Sequence, residues 1–289
     1  MREWFDKLTF HELLHKTAEK YPDRIALKFE LQTWTFSELA LEVNKTAASL
    51  LRIGVNKGYK VAIWMPNRPE WIFCLFALSA IGAICVPINT RFRRTDIDYI
   101  LSQSDTSVLI SADKFGPINY LDILVDSCED LGEKHHQDVI TSHTFPKLKT
   151  IITLGENHLP SSIPWTTFLA QGPQSENAHD SMPNVSTSPD DTVLIMYTSG
   201  TTGFPKGVMH NHNILRTIQD ASNRMGYTNV DIILMYLPLF HCFGLYEGPL
   251  MSITSGCSMI LLDRFDPTTV LEQIQQNKVT VINGFDTHF

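Results

Sequence analysis

Residues 197–207 read YTSGTTGFPKG, and this stretch carries the strongest information on fold and function in the sequence. An apolar run at residues 193–197 precedes it and predicts a buried strand, and residues 212–224 have a helical pattern. The glycines of residues 197–207 let the backbone turn tightly and bring N–H groups close to an anion. Its hydroxyl groups add uncharged donors, and Lys206 adds a positive charge suited to phosphate at short range. We therefore predict a polyphosphate-binding loop between a strand and a helix.

Two other phosphate motifs do not fit this stretch. A Walker A loop that starts at Gly200 needs glycine where Pro205 stands, and serine or threonine where Gly207 stands. The G-x-G-x-x-G fingerprint of dinucleotide-binding proteins is absent from the sequence. A plain surface turn rich in Ser, Thr and Gly is the remaining alternative. It is disfavoured because the run contains a lysine and stands between a buried strand and a helix.

The composition is that of a globular chain with a sizeable core. The chain has 289 residues, of which 43% are hydrophobic, and a formal net charge of −8. This negative balance argues against nucleic-acid binding as the main task. The five cysteines are scattered, odd in number and without a C-x-x-C pair, which indicates free thiols in a reducing compartment. No secretory signal is visible at the N-terminus, so we predict a cytoplasmic protein.

Residues 71–88 form an uncharged stretch of 18 residues, the lower limit for a membrane-spanning helix. Other residues favour a different interpretation. Asn67 can cap a helix that has Pro69 in its first turn, and Gly82 can end it. Residues 83–86 then read as a short buried strand that ends at Pro87. We predict a helix and a strand here, and no transmembrane segment.

Three segments of the chain differ in pattern. Residues 1–154 alternate between helix and strand patterns, which predicts an α/β lobe with a parallel sheet and crossover helices. Residues 155–191 are rich in Pro and Ser and predict a connector. Residues 192–289 predict a second α/β lobe, incomplete at its C-terminal end, that contains the loop. Two helix starts carry sequence signals: Thr35 with Glu38 has capping-box spacing, and Asp266 is a candidate N-cap before Pro267.

The loop resembles the phosphate-binding signature of the adenylate-forming superfamily. This superfamily includes acyl-CoA synthetases, the adenylation domains of peptide synthetases, and firefly luciferase. The similarity extends over the whole chain, through residues 21–27 (YPDRIAL), 61–67 (VAIWMPN) and 82–89 (GAICVPIN). Residues 237–244 (LPLFHCFG) are similar to the family's substrate-side segment. The fold that this resemblance implies is the large N-terminal domain of an acyl-CoA synthetase, with mixed and parallel sheets flanked by helices, truncated.

The resemblance implies a two-step reaction with ATP, Mg²⁺ and coenzyme A. A carboxylate attacks the α-phosphorus of ATP to give an acyl-adenylate and pyrophosphate, and the thiol of coenzyme A then takes the acyl group. Such chemistry needs clamped phosphates and an in-line carboxylate. The residues that the resemblance assigns to the ATP phosphates are Thr198, Ser199, Gly200, Thr201, Thr202, Gly203 and Lys206.

Position 241 bears on which carboxylate reacts. Peptide-synthetase adenylation domains have an Asp here that pairs with the substrate's ammonium group, and this chain has His241. An amino-acid substrate is disfavoured because a buried ammonium group without a partner is costly. Phe240, Phe243 and Gly244 suit an apolar fatty or aryl carboxylate. The resemblance places His241 beside the reacting carboxylate as the catalytic residue; the alternative is a histidine that only caps the helix after it.

No metal site is predicted from side chains. His210 and His212 are two residues apart, which does not place them on one helix face, and no Cys or carboxylate partner is adjacent. They are expected at the entry of the helix instead.

The family's later motifs are absent from these 289 residues. They include the adenine-binding loop, the ribose-binding Asp and the C-terminal domain with its catalytic Lys. We therefore expect the N-terminal part of a longer acyl-CoA ligase that acts on a fatty acid and is active only within that chain, with a homodimer as a further expectation. The alternative is a truncated, non-catalytic nucleotide- or acyl-binding remnant of the same family.

Overall fold

The structure is a computed structural model that describes residues 5, 7–132, 140, 142–172, 185–198 and 204–288. Strands and helices alternate along much of this part of the chain. The strands are β1 (Ile25–Phe29), β2 (Gln32–Thr35), β3 (Lys60–Trp64), β4 (Ile84–Pro87), β5 (Thr106–Ala112), β6 (Lys114–Phe115), β7 (Ile118–Asn119), β8 (Thr150–Leu154), β9 (Ser162–Pro164), β10 (Thr192–Thr198), β11 (Lys206–Asn211), β12 (Ile232–Met235), β13 (Ser258–Leu261) and β14 (Val281–Ile282). The helices are α1 (Phe10–Lys20), α2 (Phe36–Arg52), α3 (Pro69–Ala80), α4 (Arg94–Gln103), α5 (Tyr120–Ser127), α6 (Trp165–Ala170), α7 (Ile214–Met225), α8 (Cys242–Leu245), α9 (Met251–Ser255) and α10 (Pro267–Asn277), with a π-helical turn at Tyr246–Leu250.

The described strands form two large sheets and a small hairpin. The seven-stranded sheet has the order β11-β10-β4-β3-β5-β8-β9, and the five-stranded sheet has the order β14-β12-β13-β1-β2. Most neighbouring strands are parallel, whereas the β10–β11 and β1–β2 pairs are antiparallel. All residues of β5 and β8 are buried, as expected of parallel strands covered on both faces. The predicted α/β class with mixed sheets is confirmed.

A layer of helices separates the two large sheets. Helix α2 packs on β1 and β2 of the five-stranded sheet, and α3 packs on β3 and β4 of the seven-stranded sheet. Helices α1, α2 and α3 also contact one another. The apolar faces of both sheets are therefore buried against the same helices, which hold the carboxyl ends of their strands in fixed relative positions.

The uncharged stretch at residues 71–88 is a buried helix followed by a strand, as predicted. Eleven of the twelve residues of α3 are buried, and β4 follows it in the centre of the seven-stranded sheet. A helix that is apolar on all sides is found inside a protein as well as in a membrane. Over the described ranges, no helix is both long enough and apolar enough to cross a bilayer.

Asn67 does not cap α3, so this detail of the prediction is wrong. The N-cap position is Arg68, whose side chain pairs with Glu70 at 2.7 Å. The Asn67 amide instead reaches the five-stranded sheet: Nδ2 donates to the carbonyl oxygens of Leu237 (2.9 Å) and Leu262 (3.1 Å). These carbonyl groups follow β12 and β13. The Asn67 Oδ1, the atom that a helix cap would use as acceptor, instead accepts from the Leu239 N–H at 2.9 Å, so it does not serve the helix.

Two other predicted helix starts are confirmed. The Thr35 side chain accepts a hydrogen bond from the Glu38 N–H, and the Glu38 carboxylate accepts one from the Thr35 N–H at 2.7 Å. The Asp266 carboxylate accepts from the Thr269 N–H at 2.8 Å. These signals work because each donor and acceptor lies within three residues of its partner.

The segment after the predicted phosphate loop differs from the prediction. The sequence interpretation placed no strand between the loop and the helix, but β11 occupies residues 206–211 and pairs with β10, with Thr198 opposite Lys206. Pro205 and Gly207 are poor helix formers, which favours an extended conformation here. The predicted helix then follows as α7 (Ile214–Met225).

Both predicted lobes contribute to both large sheets. Strand β1, near the start of the chain, pairs with β13, and β10 pairs with β4. The predicted connector at residues 155–191 contains β9 and α6, and Phe168 of α6 is buried. The boundaries 1–154, 155–191 and 192–289 stay a prediction as domain limits.

Candidate functional site

A cavity of about 440 Å³ lies where the carboxyl ends of strands from the two large sheets meet. Residues 66–67 and 89–91 follow β3 and β4 of the seven-stranded sheet, and residues 236–238 and 263–265 follow β12 and β13 of the five-stranded sheet. Ligands of open α/β sheets bind at the carboxyl ends of the strands. This cavity is therefore the candidate binding site.

The two ends of the predicted phosphate loop lie at the same edge of the seven-stranded sheet. Strand β10 is parallel to β4, so Thr198 at its carboxyl end is on the side of the sheet where residues 89–91 line the cavity. Thr198 pairs with Lys206 across the hairpin, and both are exposed. The structure thus brings together these two predicted site residues. The other predicted phosphate ligands, Ser199, Gly200, Thr201, Thr202 and Gly203, lie outside the described residues.

Segment 237–244, the predicted substrate-side segment, forms one wall of the cavity. Asn67 holds its start, because the Asn67 Oδ1 accepts from the Leu239 N–H at 2.9 Å while Nδ2 donates to the Leu237 carbonyl oxygen. Phe240, His241, Phe243 and Gly244 all line the cavity. The structure therefore brings together all four predicted substrate-site residues.

Gly244 makes room for the backbone of its own segment. A Cβ atom at this position would lie 2.3 Å from the Pro238 carbonyl oxygen and 2.7 Å from the Leu237 carbonyl oxygen. Both atoms belong to the backbone, so they cannot move aside as a flexible side chain can. The contact of α8 with residues 237–238 therefore requires glycine at position 244.

We expect Gly244→Ala to reduce the free energy of unfolding by about 2 kcal/mol, because the added methyl group forces this backbone contact apart. Chemical denaturation of both proteins measures the difference. Gly132→Ala is the matched control, since a Cβ there would meet its nearest neighbour at an ordinary 3.5 Å. Equal stability of the two variants would contradict the steric explanation.

His241 both caps a helix and lines the cavity. It precedes α8, and its Nδ1 accepts a hydrogen bond from the Phe243 N–H at 3.2 Å. An Nδ1 that accepts carries no proton, so the neutral ring has its proton on Nε2. The side chain is exposed, which leaves Nε2–H available as a donor. The capping role is therefore present in the structure, and it is compatible with a second role towards a bound carboxylate.

Aromatic residues that the sequence analysis did not single out complete the apolar wall. Tyr236, Phe265, Phe285 and His288 line the cavity, and Phe265 stacks on His288 with ring centroids 4.4 Å apart. Phe285 contacts Phe243 edge-to-face at 5.3 Å. Their only sequence signal is position, since Tyr236 directly follows the apolar residues of β12. The remaining residues come together only through packing.

Charged residues at the cavity are exposed. Arg91, Asp263 and Arg264 are among its lining residues, and each has an exposed side chain. Two cations and one carboxylate surround an otherwise largely apolar cavity. This charge pattern favours a ligand with an anionic group at its exposed end.

His210 and His212 do not form a metal site with one another. His212 is buried, its Nδ1 accepts from the Phe10 N–H at 3.2 Å, and burial lowers its pKa to about 4. His210 belongs to β11 and contacts the ring of Tyr246. Among the residues that the structure describes, no group of three or more His, Cys, Asp and Glu side chains is placed to hold a metal ion.

The chain is similar to proteins of a known family. Residues 14–289 match the AMP-binding enzyme family. The chain is 36% identical to YngI of Bacillus subtilis, which is named as an acyl-CoA synthetase, over 286 residues that cover 97% of this chain and 52% of YngI. It is 30% identical to the mouse mitochondrial medium-chain acyl-CoA ligase ACSF2, over 97% of this chain and 47% of that protein. The chain spans about half the length of these curated relatives.

A solved structure shows the same fold. The inhibitor-bound N-terminal domain of FACL13 from Mycobacterium tuberculosis superposes with a TM-score of 0.78 and 25% identity, over 96% of this chain and 62% of that domain's chain. The predicted N-terminal-domain fold of an acyl-CoA synthetase is therefore confirmed. The family match covers nearly all of the sequence, and the chain belongs to the AMP-binding enzymes, the adenylate-forming family whose members include the acyl-CoA synthetases.

Proposed function

We propose that this chain is part of an ATP-dependent acyl-CoA ligase that converts a carboxylate, ATP and coenzyme A to acyl-CoA, AMP and pyrophosphate through an acyl-adenylate. One observation carries the proposal: a largely apolar cavity with His241 in its wall opens at the sheet edge from which the hydroxyl-rich loop leaves. An apolar carboxylate and the phosphates of ATP can therefore bind next to each other. Adenylation needs this proximity, because it is a displacement at the α-phosphorus.

The loop would hold the phosphates of ATP. Thr198, Ser199, Thr201 and Thr202 supply hydroxyl donors, Gly200 and Gly203 allow close approach of the backbone, and Lys206 supplies a positive charge. Donors in place before the reaction stabilise the negative charge of the departing pyrophosphate. Mg²⁺ in nucleotide sites is usually bound by the phosphates and one or two carboxylates. In this proposal it therefore arrives with ATP.

The residues of the cavity wall favour a fatty or aryl carboxylate as the substrate. Phe240 and Phe243 face the cavity, and the carboxylate that would pair with an amino group is replaced by His241. Asp263, the carboxylate among the lining residues, is exposed and adjacent to Arg264. An ammonium group in the apolar part of the cavity would thus be buried without an anion. Burial of an unpaired charge costs free energy, and an alkyl or aryl chain avoids this cost.

Product analysis of the full-length protein tests the function. Incubation with a panel of fatty and aryl carboxylates, ATP and coenzyme A should give AMP and acyl-CoA, with pyrophosphate released in equal amount. Carboxylate-dependent exchange of labelled pyrophosphate into ATP should occur without coenzyme A. Release of ADP in place of AMP would refute an adenylating mechanism, and failure of every carboxylate would favour the non-catalytic remnant. The cytoplasmic location and the homodimer stay predictions.

Two substitutions separate the roles of His241. His241→Asn keeps a side chain that caps helices well and removes the imidazole, whereas His241→Ala removes both. If His241 contacts the reacting carboxylate, both variants should lose activity by about a hundredfold, and only His241→Ala should also lose about 1 kcal/mol of stability. Steady-state kinetics and thermal unfolding measure the two effects. Wild-type activity in His241→Asn would show that capping is the residue's only role.

A further inference from the structure

Helix α4 lies beside both ends of the predicted phosphate loop. Tyr99 and Gln103 are four residues apart on α4 and therefore face the same side of the helix. Gln103 accepts a hydrogen bond from the hydroxyl group of Tyr197, which is the last residue but one of β10. Tyr99 stacks on Phe204 at a centroid distance of 5.2 Å and an interplanar angle of 27°. One face of one helix thus contacts residues on both sides of the loop.

The contacts are specific rather than part of the general core. Phe204 is 63% exposed, so burial alone does not explain why its ring lies flat against Tyr99. The Tyr197 hydroxyl group is a stable donor, because burial raises its pKa to about 12. Sheet pairing holds β10 between β4 and β11, and α4 adds contacts with Tyr197 and with Phe204, which precedes β11.

Helix α4 also begins close in sequence to a residue that lines the cavity. It starts at Arg94, shortly after β4, and Arg91, which lines the cavity, lies between them. Residues 88–93 therefore link β4 to α4 past the cavity, and α4 then contacts the residues at both ends of the loop.

We propose that Tyr99 and Gln103 are positioning residues that set the ATP affinity of the loop by fixing its ends against α4. This inference rests on the proposed function, since it assumes that the loop binds the phosphates of ATP. Fixing the loop ends before ATP arrives lowers the ordering cost of binding. Loss of either contact then weakens ATP binding without changing the groups that react.

Kinetics of the full-length protein test this proposal. Tyr99→Ala and Phe204→Ala should each raise the KM for ATP by about threefold to tenfold, as expected for the loss of one aromatic stack. The kcat and the KM for the carboxylate should change by less than about twofold, because the loop ends do not contact the carboxylate. The double variant should be little worse than either single variant, since both remove one contact. Tyr99→Phe is the control and should behave as wild type, because it keeps the ring.

Two further variants address the hydrogen bond. Gln103→Leu and Tyr197→Phe should each raise the KM for ATP, and combining them should add nothing more. An unchanged KM for ATP in Tyr99→Ala and Gln103→Leu would overturn the proposal. It would also be overturned if kcat fell, and the KM for the carboxylate rose, by as large a factor as the KM for ATP. A wild-type protein without carboxylate-dependent pyrophosphate exchange would contradict the proposed function itself. In that case, binding of a fluorescent ATP analogue to wild type and Tyr99→Ala decides the positioning role; equal affinities would reject it.

Discussion

Lys206→Ala is expected to lower carboxylate-dependent ATP–pyrophosphate exchange by about a hundredfold while leaving the protein folded. Lys206 begins β11 opposite Thr198, at the end of the predicted phosphate loop, and it is exposed. An exposed lysine on an edge strand contributes little to stability, so its removal should not unfold the chain. Its charge matters in the reaction, because negative charge develops on the departing pyrophosphate and a fixed cation stabilises that charge.

Two controls sharpen this experiment. Lys206→Arg keeps the charge and should retain part of the activity, although the guanidinium group has a different shape. Lys16→Ala removes an exposed lysine from α1 and should leave the exchange rate unchanged. Exchange rates and melting temperatures are compared for all three variants. A Lys206→Ala protein that melts far below wild type would instead indicate a structural lysine.

Asn67→Ala is expected to reduce the free energy of unfolding by about 3 kcal/mol, the largest stability effect predicted for this chain. The Asn67 side chain is 4% exposed and makes three hydrogen bonds, with the Leu237 carbonyl oxygen, the Leu262 carbonyl oxygen and the Leu239 N–H. Alanine leaves these three backbone groups without their partner in a buried place. Each such group costs about 1–3 kcal/mol, and partial entry of water offsets some of the sum.

The same substitution should also affect the site. Residues 237–239 lead into the cavity wall that carries His241, so loosening them should raise the KM for the carboxylate. Asn67→Asp is a sharper variant, because it keeps the acceptor for Leu239 but places a carboxylate against two carbonyl oxygens; it should be at least as destabilised as Asn67→Ala. Asn56→Ala is the matched control, since Asn56 makes an exposed hydrogen bond to the Gly54 carbonyl oxygen. Denaturant titration measures all three, and a loss of under 1 kcal/mol in Asn67→Ala would contradict the role assigned to this amide.

Interactions between residues close in sequence could be predicted for this chain, and those between distant residues could not. The start of α2 at Thr35, the start of α10 at Asp266, and the division of residues 71–88 into a helix and a strand were all predicted, because their signals lie within a few residues. Strand β11 was missed because Pro205 and Gly207 only disfavour a helix, whereas the pairing with β10 makes residues 206–211 a strand. The role of Asn67 was predicted wrongly because the Asn67 Oδ1 could accept either from a nearby helix N–H or from the distant Leu239 N–H, and local sequence does not show the second donor.

For the site, the sequence by itself determined the chemistry of the loop at residues 197–207 and the apolar character of Phe240 and Phe243, since side-chain type and backbone freedom are local properties. Only the tertiary structure decided that β10 lies beside β4, that Asn67 holds a segment 170 residues away, and that Tyr99 meets Phe204. These contacts depend on how two sheets pack on a shared layer of helices. Packing is set by all the buried residues together, so no single stretch of sequence contains it.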